Sequence, residues 1–166
     1  QDALDMAAAG MDAEAICKKL EETGLDSTIY ITVDTLKYLK KGGRITPAAA
    51  ALGTLLRLKP VLTIQGEKLD AFAKARTMKQ ARSMMITAIT RDLENRFDDM
   101  TGEKTYIDVA HTANDEMAQE LAAELRELFP ETEVRVEPLS LSVACHIGPG
   151  ALAIAATKKL EIGSLL

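Results

Sequence analysis

At 166 residues, with 47% hydrophobic and 27% charged side chains, the chain is long enough and apolar enough to bury a core, which excludes a disordered or fibrous polypeptide. A formal net charge of −5, with no basic stripe interleaved with aromatics, argues against a nucleic-acid surface, and no apolar run approaches the roughly 20 residues of a membrane span, which argues against stable membrane insertion. Cys17 and Cys145 are too few and too far apart for a disulfide framework and fit a reducing, cytoplasmic setting. Aromatics make up only 4% and tryptophan is absent, so the core is built from aliphatic side chains, alanine and seven methionines.

In chain order, residues 2–9 are alanine-rich and helical, Gly10 ends them, and Asp12 caps a second helix with Ile16 and Leu20 on one face. Residues 1–26 thus read as the end of a missing N-terminal domain, and residues 27–166 as one α/β domain: a two-layer mixed sheet with helices packed on one face. Residues 29–33 are β-branched and alternating, hence a strand. Asp34 or Thr35 caps a short helix with Leu36 and Leu39 facing inward; Gly42 is expected to supply its left-handed terminal residue, and Gly43 to let the backbone pass close to a neighbour. Thr46 and Pro47 start the next helix, whose Ala48 to Ala51 and Gly53 leave a surface almost without side chains.

Further on, residues 61–64 and 68–74 form a hairpin around Gln65-Gly66, with Leu69, Ala71 and Ala73 in alternation. Thr77 and Gln80 make a capping box for a long helix striped by Ala81, Met85, Ile89 and Leu93. Residues 105–110 are a strand, Asn114 caps a helix with Met117, Leu121, Leu125 and Leu128 at helical spacing until Pro130, and residues 134–136 are a strand. Residues 142–145 and 152–156 read as two more strands, separated by His146-Ile147-Gly148-Pro149-Gly150.

Chemistry concentrates in two places. Arg44, held between a helix end and the Thr46-Pro47 start of the next, is either suited to grip a planar anion through its forked donors or a solvated arginine in a well-capped helix-turn-helix. His146, at the end of a strand and followed by a tight Gly-Pro-Gly turn, can donate a ring hydrogen to an anion or serve as an ordinary satisfied strand-end histidine. His111 reads as a loop-bracing residue. Strand geometry sends Cys145 and His146 to opposite faces and makes Cys145 a core residue. No metal-ligand spacing, phosphate loop or catalytic acid pair stands out, so no metal, cofactor or catalytic residue is expected.

Residues 33–36, then Tyr38-Leu39-Lys40-Lys41-Gly42-Gly43-Arg44-Ile45, then Leu58-Lys59-Pro60 and finally His146-Ile147-Gly148-Pro149-Gly150-Ala151 together resemble the DegV family of bacterial fatty-acid-binding proteins. The resemblance covers nearly the whole chain. It implies a long-chain fatty acid lying in a tunnel, its carboxylate near Arg44, Gly43, His146 and Gly148, and a separate fatty acid kinase subunit that converts it to acyl phosphate for phospholipid synthesis. The family often has threonine where this chain has Cys145. The alternative is a subunit that binds a phosphorylated small molecule through Arg44 and the Gly148-Pro149-Gly150 turn, in keeping with kinship to dihydroxyacetone kinases; a scaffold with a vestigial groove is a third.

Overall fold

The structure, a computed structural model, describes residues 1–52, 58–64 and 68–161. Their elements are α1 (Asp2–Ala8), α2 (Ala13–Thr23), β1 (Ser27–Thr32), α3 (Lys37–Lys41), α4 (Pro47–Leu52), β2 (Lys59–Ile64), β3 (Leu69–Ala75), α5 (Met78–Asn95), β4 (Thr105–His111), α6 (Asp115–Leu128), β5 (Val134–Pro138), α7 (Leu141–Ile147) and β6 (Leu152–Lys158). Six strands form one mixed sheet in the order β3-β2-β1-β6-β4-β5, parallel only between β4 and β5. The expected α/β mixed sheet is therefore present. The Gln65-Gly66 turn and Gly53 lie outside the described residues.

Strand side chains alternate between faces, and each face has its own core. On one side Tyr30, Val61, Ile107, Val109 and Ile154 pack under α5 and α6, whose stripes Ala81-Met85-Ile89-Leu93 and Leu121-Leu125 are fully buried. The other side is not bare. Ile31, Val33, Leu62 and Ala153 meet Leu36, Leu39, Ala49 and Ile147 from the short helices and loops, so α3, α4 and α7 cover part of the second face.

Several sequence expectations change in detail. Residues 142–145 belong to the helix α7, because Ser140 in extended conformation starts it and Gly148 at φ 84° stops it, while only Ile147 needs burial. Leu69, Ala71 and Ala73 do not share one face: pairing shifts from Leu62–Ala71 to Val61–Ala73, so a bulge at Phe72 sends Ala73 to the α5 side. Leu128 ends α6 exposed to solvent. Asn114 makes no side-chain cap; its amide donates to the Gly150 carbonyl instead (3.3 Å). The Thr77 cap forms, with its hydroxyl accepting from Gln80 N–H, and the Gln80 side chain returns to Arg76 N–H.

A buried polar knot ties α5 to β1. Asp92 accepts hydrogen bonds from the hydroxyls of Thr28 and Tyr30, each at 2.7 Å, and sits 3.5 Å from the Arg96 guanidinium. Burial, then the bond to Asp92, holds the Tyr30 phenol above its ordinary value. A raised pKa in the folded state gives stability that is complete below about pH 10 and lost as pH rises through the folded value. Tyr30→Phe should cost about 1.5–3 kcal/mol at pH 7, the range for a bond to a charged group. It should also flatten the decline of stability above the ordinary tyrosine range; urea titrations across pH check both.

Candidate anion site at the α3 and α7 loops

The α3 helix ends in a Schellman turn: Arg44 N–H donates to Leu39 O (3.1 Å) and Gly43 N–H to Lys40 O (3.2 Å). The left-handed residue is Gly43, at φ 65°, whereas Gly42 keeps a right-handed φ of −80°. The two glycines thus exchange the roles expected from sequence. Gly43 turns the chain in open space, and Gly42 makes the close approach, since a Cβ there would lie 2.8 Å from the His146 Nδ1 and 3.6 Å from the Arg44 Cγ. Leu36 occupies the cap position without a side-chain cap, while the Thr35 hydroxyl accepts from Lys37 N–H at 3.2 Å.

Arg44 is then pinned to the sheet edge. Leu69 N–H donates to Arg44 O (3.1 Å) and Thr46 N–H donates to Leu69 O (2.9 Å), forming a bridge at Ile45. Thr46 also caps α4 as expected, accepting from Ala49 N–H at 3.2 Å, and its hydroxyl donates to Asp70 at 2.6 Å. That bond, with the Ala71 N–H, holds the Asp70 carboxyl below its usual range.

On the facing side, His146 sits in the last turn of α7 and not at a strand end, and both it and Cys145 are exposed, so Cys145 is not core. Adjacent residues on a helix diverge by about 100°, which still leaves the thiol unpaired with the imidazole; the Cys145 side chain borders a separate cavity of about 340 Å³ with Leu139 and Leu141. The two loops interlock through absent side chains. A Cβ on Gly148 would collide with the Tyr38 ring, and one on Gly150 would lie 2.7 Å from Asp34 Oδ2. Asp34 in turn pairs with Lys59 at 2.5 Å.

Arg44 and His146 are thereby brought to one rim, with Gly42 between them. Gly43 and Gly148 shape that rim by their backbone turns. Lys37, Lys40 and Lys41 of α3 and Arg44 after its end are all exposed, and among the described residues no acidic side chain pairs with Arg44. The rim is locally positive in a chain of net negative charge. An anion with two acceptor oxygens matches a guanidinium fork and one imidazole N–H. His111 behaves as expected: its Nδ1 accepts from Asn114 N–H (3.2 Å), bracing the loop after β4. Sequence reading missed Tyr38 as a part of this rim, because its contact with Gly148 is made across the fold and leaves no spacing signal.

A model of the uncharacterised DegV family matches residues 1–159. The chain belongs to the DegV family. It is 38% identical over 159 residues to the DegV domain-containing protein YqaC of Lactococcus lactis, covering 94% of this chain and 53% of that one. Among solved structures it resembles a fatty-acid-binding DegV family protein of Thermus thermophilus (32% identity, TM-score 0.80, 94% of this chain and 54% of the other). It also resembles DegV of Bacillus subtilis, a fatty acid binding protein (30% identity, TM-score 0.78, 95% and 54%). The chain spans about half the length of the relatives it matches.

Gly42→Ala and Gly148→Ala separate space from backbone strain. At Gly42 the backbone accepts alanine, so stability should change by less than about 1 kcal/mol, while the imidazole must move; the His146 ring resonances in an NMR spectrum should shift. At Gly148 the positive φ and the Tyr38 ring together should cost about 1–3 kcal/mol or more, read by urea denaturation.

Proposed function

We propose that the chain binds a long-chain fatty acid, with the carboxylate held at Arg44 and His146 and framed by Gly43 and Gly148. The observation that carries this reading is the meeting of those two side chains across Gly42, with Arg44 unpaired among the described residues. The second face of the sheet supplies a surface for the tail: Ala71, Ala110 and Ala155 lie beside Ile29 and Ile64, all half-buried, and small side chains leave depth for a slender chain. Relatives of known structure that bind fatty acids support the same ligand class.

In this reading the protein has no catalytic residue, cofactor or metal of its own. It acts in the cytoplasm and presents the carboxylate at the positive rim to a separate fatty acid kinase, which makes acyl phosphate for phospholipid synthesis. Among the described residues no helix is long and apolar enough to cross a membrane. Helices α1 and α2 form the join to a further domain; exposed Leu4 in α1, and Leu25 just after α2, suit that role.

Burial of about fourteen methylenes at ~0.8 kcal/mol each offers roughly 11 kcal/mol before the costs of association. The tail sets affinity and the polar end sets placement. Native mass spectrometry of the natural polypeptide, followed by denaturation, should release a stoichiometric fatty acid. Arg44→Ala should retain it but lose most kinase-coupled turnover. A protein that refuses palmitate and takes up a sugar phosphate would favour the phosphorylated-ligand reading instead.

A further inference from the structure

We infer that Thr112 is a positioning residue for the head-group rim, acting on His146 through the loop that follows it; the inference rests on the fatty-acid reading above. Thr112 is buried at the end of β4 and makes four bonds to the 148–151 segment. Its hydroxyl donates to Gly148 O (2.6 Å) and accepts from Ala151 N–H (3.1 Å). Its backbone N–H donates to Ala151 O (3.1 Å), and its carbonyl accepts from Gly150 N–H (2.7 Å). Asn114 adds a bond to Gly150 O.

This clamp works beside the packing of α7 on α3, where Gly42 meets His146 and Gly148 meets the Tyr38 ring, and it fixes the end of a helix that buries little of its own. The helix buries only Ile147, Leu141 at its start is 81% exposed, and the side bearing Ala144 and Cys145 faces the 340 Å³ cavity instead of packed side chains. Its end is fixed in the last turn, where Gly148 N–H closes on Ala144 O (2.8 Å) and Gly148 O is held by the Thr112 hydroxyl. His146 lies two residues before that anchor and against Gly42. A hydroxyl is required there, since one group must both donate and accept. Valine keeps the shape and removes both bonds; serine keeps both.

The test measures, in the natural polypeptide, affinity for palmitate and for hexadecanol, which share a tail and differ in head group. Thr112→Val should lower the preference for the acid by about tenfold, the equivalent of one hydrogen bond to a charged group. Hexadecanol affinity should stay at the wild-type value, and Thr112→Ser should restore the preference. An unchanged acid-to-alcohol ratio in Thr112→Val, or an equal loss for both ligands, overturns the assignment. Should Thr112→Val fail to fold, Thr112→Ala, which also removes both hydroxyl bonds, carries the test: a reduced ratio supports the clamp, and a wild-type ratio overturns it. A wild-type protein that binds neither ligand, or both alike, defeats the fatty-acid reading itself and this assignment with it.

Discussion

The site rests on one constraint: two loops far apart in sequence cross with almost no side chain between them. Gly42 lies against the His146 imidazole, Gly148 against the Tyr38 ring and Gly150 against Asp34. Each contact is an absence on one side and a ring or carboxylate on the other. Glycine at these points gives up conformational entropy, and the return is geometric. Neither loop alone could hold a guanidinium and an imidazole on a common rim; locked together, they leave each other little room to move.

The sheet makes this crossing possible. Its central strands β1 and β6 run antiparallel, so the end of β1 that leads to Asp34 lies beside the start of β6 that follows Gly150. Thr32 pairs with Leu152, and both loops emerge from the same sheet end. The long helices α5 and α6 occupy the opposite face, where the Asp92 knot and the fully buried stripes hold the sheet rigid without intruding on the rim. The main core and the candidate rim are thus divided between the two faces.

Much of this was legible in the sequence because local chemistry had a single reading there. Thr46-Pro47 begins a helix, and the Ala81 to Leu93 stripe faces a core. The misreadings share a different cause. Gly42 and Gly43 are chemically identical, and which of them turns the chain depends on a histidine more than a hundred positions away. Residues 142–145 contain valine and cysteine and border an apolar run, so they read as a strand; they are helical because partial exposure relieves α7 of the need to pack on both sides. The interlock itself, with Tyr38 and Thr112, was invisible, since contacts between distant loops leave no periodicity.

The segment that carries Arg44 also covers the start of one sheet edge. Strand β3 is an edge, and its outer side is met by the bridge at Ile45, while the Asp70 carboxylate accepts from its own neighbour's N–H at Ala71. An unpaired edge invites strands from other molecules. Loosening the Arg44 loop therefore uncovers a template for self-association as well as disturbing the candidate rim. The bridge is made by backbone atoms, so the protection belongs to the path of the loop and not to the Arg44 side chain.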